Sequence, residues 1–436
     1  MSGTPQPRYS ASVAVVGAGY VGLTTAVCLA HLGHRVCCGE SDPAKVEQLS
    51  RGRPTIFEEG IEDLLAQTLR SGRLRFVQGA GPSVAGAEFV FLCLPTPQGA
   101  DGSADVSALE SASSEIGPVL ERGAVVINKS TVPVGSAALV EQWIGRADIA
   151  VVSNPEFLRE GTAVHDFLHP DRVVVGSDDQ EAAARVGRLF AETQAPLIVT
   201  DAATSETIKY ACNAFLATKL SFVNAVASLC ETVGADVRDV LLGMGYDHRI
   251  GFDYLRPGPG WGGSCLPKDT RALLHISAMA GYDFGILRSA IEANDVHLAA
   301  VVSKVRDALE GDLTGHRVAA WGLTFKAGTD DRRYSPAVEI IRRLVEGGAT
   351  VRAYDPTVTD RASDLPAGVE ICPDPYGACD GAEALVILTE WDEFRWLDHA
   401  KVRTAMARAQ VVDARNLLDP AALKRMGFSY VGVGRV

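Results

Sequence analysis

A chain of 436 residues is long enough for two or three domains. Its 47% hydrophobic and 22% charged residues are ordinary globular values, so neither a disordered nor a fibrous class fits. A net charge of −13 without a basic run argues against nucleic acid or an anionic membrane as main partner.

Residues 1–12 are polar and contain two prolines. They read as a disordered tail and not as a signal peptide. No apolar run is expected to reach the ~18–20 residues of a membrane span. Nine cysteines, with no metal-type Cys-x-x-Cys pair, read as reduced thiols in a cytoplasmic protein with no metal. Lysine is scarce, nine against 32 arginines. Five of the nine, Lys129, Lys209, Lys219, Lys268 and Lys326, fall in or beside the motifs below. Where arginine is the default cation, a retained lysine points to a need for an ammonium.

SVAVVGAGYVGLTTAVCLAHLG, residues 12–33, reads as strand, glycine turn and helix. Gly17, Gly19 and Gly22 fit G-x-G-x-x-G. The first makes the turn, the second admits a pyrophosphate, and the third lets helix pack on strand. Glu40 lies 18 residues past Gly22, where a ribose-binding carboxylate belongs. A carboxylate there repels a 2′-phosphate, so NAD is favoured over NADP.

Buried strands follow at 88–97, stopped by Pro95 and Pro97, and at 124–135, ending in Lys129, Ser130 and Thr131. Ligands bind at such strand ends in a parallel sheet. The segment 151–176 carries Asn154, Glu156, Arg159 and Glu160. Glu156 follows a proline at a strand end, poised for acid–base work or simply solvated in a loop. Residues 195–201 close an NAD-binding domain predicted over 13–202.

A central helical region is predicted over 203–309. Residues 205–241 read as one long helix and the start of another, apolar nearly all round and therefore buried. Glu206, Lys209, Asn213 and Asn224 lie within roughly 60° of one another on it. They need partners: a ligand, a second subunit or satisfied core groups. Another helical region runs from Thr270 to about Leu309.

Between these helices stands GPGWGGSCLPKD, 258–269. Its glycines allow close backbone approach, and Pro259 and Pro267 stiffen the flanks. The result is a rigid loop presenting Cys265, with Lys268 and Asp269 beside it. A thiol near an ammonium is more readily the nucleophilic thiolate. The last third, 310–436, repeats the strand order with strands at 317–326, 350–356, 384–394 and 410–416. Asp355 ends the second of these. This predicts a second doubly wound α/β domain without the glycine fingerprint. Lys326, Asp330, Asp331, Arg332 and Arg415 are its candidate ligand contacts.

The motifs GAGYVG (17–22), PTP (95–97), KSTVPVG (129–135), NPEFLREG (154–161), KYACNAFLATKLSF (209–222), DHRIG (247–251), GGSCLPKD (262–269), GLTFKAGTDDRRYSP (322–336) and DARN (413–416) stand in one order over nearly the whole chain. Together they resemble the UDP-glucose/GDP-mannose dehydrogenase family of nucleotide-sugar dehydrogenases. The resemblance implies two Rossmann-like domains joined by a long helix that also forms a dimer interface. It implies NAD-dependent, four-electron oxidation of a sugar C6 alcohol to the carboxylate through a Cys265 thioester. By it, Lys209 and Asn213 stabilise oxyanion charge, and Asp269, Thr131 and Glu156 handle water and protons. Glu156, Phe157, Leu158, Glu160, Lys209, Asn213, Arg249, Phe252, Tyr254, Gly262, Phe325, Lys326 and Arg415 are the candidate substrate contacts, Arg249 reaching a partner subunit's site. To the glycines and Glu40, the candidate cofactor contacts add Tyr20, Val21, Lys45, Pro95, Thr96, Ser130, Thr131, Glu160, Lys268 and Arg332.

The chain departs from the family at Glu59, where a proline is usual, and at Trp261, where Tyr or Phe is commoner. Ser264 before the cysteine argues against the 2-acetamido-mannose branch, and DHRIG against the GDP-mannose branch. The resemblance implies UDP-glucose as the expected substrate, with the base, uracil or thymine, left open. Two other readings stay open. A two-electron β-hydroxyacid dehydrogenase would use Lys209 and Asn213 but not Cys265. A non-catalytic NAD-binding dimer would use none of them.

Overall fold

The structure, a computed structural model, describes residues 9–99, 102–358 and 364–435. The chain divides into two compact units. One is Met1–Cys212 with Arg271–Ala280, the other Asn213–Thr270 with Gly281–Val436. The segment 203–309 contributes residues to both.

The first unit holds an eight-stranded sheet: β1 (Ser12–Val16), β2 (Arg35–Glu40), β3 (Leu74–Gln78), β4 (Phe89–Leu92), β5 (Val125–Asn128), β6 (Ala150–Ser153), β7 (Val173–Gly176) and β8 (Leu197–Thr200). The order is β3-β2-β1-β4-β5-β6-β7-β8, with β6 and β7 antiparallel and the other neighbours parallel. Strands such as FVFL and VVVG are apolar throughout because both faces are covered. Successive residues face opposite layers. Val13, Val15, Phe89, Phe91 and Ile127 enter one core, and Ala14, Val16, Val90, Leu92 and Val126 the other. The order reverses between β1 and β4, which opens the ligand crevice at their carboxyl ends.

The expected disordered tail is only partly testable, since residues 1–8 lie outside the described residues. Residues 9–12 are ordered. Ala11 is fully buried and donates to His34 Nδ1, Tyr9 packs edge-on against His34, and Ser12 begins β1. The buried imidazole anchors what composition alone reads as tail.

The second unit holds β9 (Arg317–Trp321), β10 (Thr350–Tyr354), β11 (Val369–Ile371), β12 (Ala384–Ile387), β13 (Gln410–Asp413) and β14 (Ser429–Gly432), all parallel, in the order β11-β10-β9-β12-β13-β14. This is the strand order of a doubly wound Rossmann-like sheet. Asp355 follows β10 as Glu40 ends β2, but it is turned inward. Its Oδ2 accepts from the N–H groups of Leu323 and Thr324, the Thr324 hydroxyl and Trp391 Nε1, and its Oδ1 from Thr357.

The helix Ala202–Val233 runs unbroken for 32 residues. An 18-residue window of it reaches the mean hydropathy, 1.2, of a membrane span, which corrects the expectation that no such run exists. Its polar residues are partnered inside the fold, as in a core helix of a folded domain. Glu206 accepts from the N–H groups of Gly135 and Ala137, and Asn224 accepts from Gly258 N–H. Nor is the helix buried all round, as its sequence predicts. Phe215, Phe222, Leu229 and Val233 are each more than half exposed.

Candidate active site

In the first unit, Gly17 has φ +94°, and a Cβ there would lie 2.5 Å from the Cys93 carbonyl oxygen. Only glycine makes this turn. Gly19 caps the helix Tyr20–His31 with no side-chain bond, and a Cβ on it would meet nothing within 4 Å. Open space before free helix N–H groups is what a pyrophosphate requires. Glu40 is half-buried and accepts from Ala18 N–H and Asp42 N–H, each at 3.1 Å. Burial works against its charge, but those N–H groups, Ser41 and Lys45 outweigh it and hold the carboxyl below its ordinary value. Lys45 itself is exposed. These residues fit NAD.

Ser130 binds across the ends of β4 and β5, accepting from Leu94 N–H at 2.8 Å and contacting the Leu94 carbonyl at 2.8 Å. The Thr96 hydroxyl donates to the Thr131 carbonyl at 2.8 Å. Both hydroxyls thus set the loop's shape around Pro95 and Thr131. Tyr20 donates to Glu58, which also accepts from Gly161 N–H at 2.7 Å. That ties the glycine turn to the segment bearing Glu160. Val21 packs on the core and Gly22 lies against the Gly17 carbonyl.

Glu156 lies beyond β6 and is 6% exposed. Lys209 Nζ donates to its Oε1 at 2.8 Å, and Leu158 N–H to its Oε2 at 2.7 Å. Burial alone would raise this carboxyl; Lys209, the Leu158 N–H and Lys129 outweigh it and hold it below the ordinary value. The Phe157 ring lies under two cations, Arg172 at 3.7 Å and Lys209 at 5.6 Å. Solvated-loop glutamate is therefore the wrong reading of Glu156, which is a buried ion.

In the second unit, Asn213 Nδ2 donates to Asp269 Oδ2 at 2.6 Å, and Lys268 Nζ lies 2.8 Å from Asp269 Oδ1. Asp269 is 1% exposed. Half-buried Cys265 immediately precedes the helix Leu266–Met279, and its carbonyl accepts from Asp269 N–H at 2.9 Å. A helix N-terminus favours an anion at that position.

The loop before Cys265 is built rather than merely tight. Gly258 is held by Asn224 and His297, and Trp261 by Asn294 on its N–H and carbonyl and by Ser221 on its indole N–H. A Cβ on Gly262 would lie 2.0 Å from the Tyr334 carbonyl, and one on Gly263 2.9 Å from the Phe325 ring. Arg415 donates to the carbonyls of Phe325 and Leu388 and reaches Gly258. Lys326 stands 5.8 Å over the Phe325 ring. Gly262, Cys265, Phe325, Lys326 and Arg415 thus belong to one neighbourhood.

Three predicted residues lie in a different segment of the second unit. Arg249 is exposed and pairs with Asp247 in its own turn. Phe252 is half exposed and packs edge-on against Tyr246. Tyr254 has φ +57°. Arg332 pairs with Asp364 at 3.2 Å. Sequence reading missed Ser221, Asn294, His297 and Arg172. The signal for two of them was present, since Asn294 and His297 stand three apart on one face of an apolar helix.

Comparison with known proteins agrees with this layout. Models of the UDP-glucose/GDP-mannose dehydrogenase family match in order: the NAD binding domain over 11–194, the central domain over 203–296 and the UDP binding domain over 319–420. A UDP-glucose 6-dehydrogenase of Rhizobium meliloti (strain 1021) is 44% identical over 433 residues, 97% of this chain and 99% of that protein. One from Pseudomonas aeruginosa is 42% identical over 438 residues, 97% of each. The solved structure of a UDP-glucose dehydrogenase from Pyrobaculum islandicum superposes with a TM-score of 0.92 at 37% identity, covering 99% of this chain and all of that one. The chain belongs to the UDP-glucose/GDP-mannose dehydrogenase family. It is an NAD-dependent nucleotide-sugar dehydrogenase, with an NAD-binding domain before the long helix in sequence and a UDP-binding domain after it.

Proposed function

We propose that the chain oxidises the C6 alcohol of UDP-glucose to the carboxylate, with Cys265 as nucleophile. One observation carries the reading. Lys209, paired with Glu156, and Asn213, paired with Asp269, stand one helical turn apart on a single unbroken helix. Relatives bearing the name UDP-glucose 6-dehydrogenase support the substrate.

Gly17, Gly19 and Glu40 would hold NAD, which when bound would supply the hydride acceptor for each oxidation. The first oxidation yields the C6 aldehyde, the alcohol proton passing to a base. The Cys265 sulfur then adds to the aldehyde carbon, giving a thiohemiacetal whose oxygen Lys209 Nζ and Asn213 Nδ2 stabilise. Loss of hydride from that carbon leaves a thioester. Water adds to the thioester carbon, Glu156 and Asp269 taking its proton with Thr131 orienting it, and the Cys265 thiolate leaves. A two-electron hydroxyacid dehydrogenase has the same lysine and asparagine but no use for a cysteine on a built loop.

The exposed face of Phe215, Phe222, Leu229 and Val233 fits burial against a second copy, so the working form is a homodimer or a higher even assembly. Arg249, exposed here, then reaches the partner's site. Nine free cysteines fit a cytoplasmic home. Counting NADH formed per UDP-glucose consumed tests the reading. Two per sugar with no free aldehyde is expected; one per sugar overturns it.

A further inference from the structure

Lys129 has no part in the mechanism above, yet it is buried nearly as deeply as Lys209 and Asp269, which have. It leaves the end of β5 and is 4% exposed. Its ammonium donates to Asn154 Oδ1 at 3.0 Å and lies 3.4 Å from the Asn154 carbonyl. Asn154 is fixed in turn by its own amide, which donates to the Val174 carbonyl at 2.7 Å. The rings of Phe167 and Phe190 lie 5.9 and 5.8 Å from Nζ. An ammonium bonded on one side and walled by aromatics on another is costly to bury without a reason.

The geometry points to Lys129 as a positioning residue for Glu156: it holds Asn154, two residues before Glu156 just past the end of β6, and adds a positive charge beside that segment. Asn154, Phe167 and Phe190 contact the ammonium, and Cys93, Glu156 and Lys209 act on it electrostatically. Burial drives the ammonium down to about 8, Cys93 and Glu156 opposing and Lys209 adding. Burial pushes the Cys93 thiol up to about 12, so its opposing effect arises only where the thiol ionises, at high pH. Two ammoniums against one carboxylate leave a net positive charge in a dry place. That favours the ionised form of Glu156 and an incoming oxyanion.

The inference rests on the proposed role of Glu156. Its test uses the full chain with K129Q, K129M, K129R and E156Q, following NADH from UDP-glucose between about pH 3.5 and 10. K129Q removes the charge but can still hydrogen-bond Asn154, so it reports even if K129M does not fold. The acid limb of kcat in K129Q is expected to move up by about one pH unit, because Glu156 loses a stabilising cation. K129R is expected to restore the wild-type limb, and KM for NAD to change less than about twofold in all three. A K129Q profile that superimposes on wild type overturns the assignment. E156Q separates the two levels. If E156Q turns over like wild type, the role of Glu156 itself fails. If E156Q loses turnover while K129Q is unmoved, only the role of Lys129 fails.

Discussion

Lys209 Nζ lies 2.8 Å from Glu156 Oε1, with both side chains more than nine-tenths buried. Removing one partner strands the other charge in a dry site. K209M and E156Q are each expected to cost on the order of 3–5 kcal/mol of stability. The double variant K209M/E156Q is expected to cost less than the sum. Urea unfolding of the four proteins measures this coupling. Strict additivity would show that the pair is not one unit.

The cysteine prediction concerns chemistry alone. C265A is expected to lose turnover by at least about three orders of magnitude, since nucleophile and base act together. An alkylating reagent is expected to inactivate the wild type at this thiol, and UDP-glucose to protect it. The other cysteines are mostly buried, Cys212 excepted, so mass mapping of the labelled peptide decides the matter.

Glu40 sets cofactor choice. E40A is expected to raise KM for NAD and to narrow its lead over NADP. The carboxyl is held below its ordinary range, so its contribution is present above that range and lost only as pH falls through the lowered value. NAD affinity is therefore expected to stay flat from pH 7 down to about 5. A titration by fluorescence quenching that falls steeply near pH 6 would point to a different group.

Gly262 is sterically fixed. Its added Cβ would meet a backbone carbonyl, that of Tyr334, which cannot swing aside as a side chain does. G262A is expected to destabilise the chain by about 1–3 kcal/mol and to cut turnover by displacing Cys265. G243A is the control, because a Cβ there meets nothing within 4 Å. Equal melting temperatures for the two would refute the packing argument.

The exposed face of the long helix predicts assembly. Substituting Phe215 and Phe222 by serine is expected to shift light-scattering mass to the monomer, and turnover to fall with it. A wild-type chain already monomeric at micromolar concentration would contradict this.

Much of the fold was legible because a parallel sheet covered on both faces writes long apolar runs. FVFL and VVIN announce themselves, and G-x-G-x-x-G marks the first turn. Strands such as Val369–Ile371 and Ser429–Gly432 did not, being short or carrying polar residues at a sheet edge. The site residues on motifs were legible as residue types. Their pairings were not: that Lys209 meets Glu156 across 53 positions depends on tertiary packing that no local pattern encodes. The ordered state of residues 9–12 escaped for the same reason, since its anchor, His34, lies on the far side of a helix in sequence.

Glu40 and Asp355 occupy the same station in two sheets of the same winding, and they have opposite occupations. Glu40, though it accepts from Ala18, Ser41 and Asp42, stays only half-buried beside the glycine turn. Asp355 spends both oxygens on the chain itself, on the turn after β9, on Thr357 and on Trp391. In one scaffold the acid is a receptor; in its sibling it is a keystone. Loss of the first would show in a binding isotherm and leave the fold intact. Loss of the second would show in the yield of folded protein, before any ligand is offered.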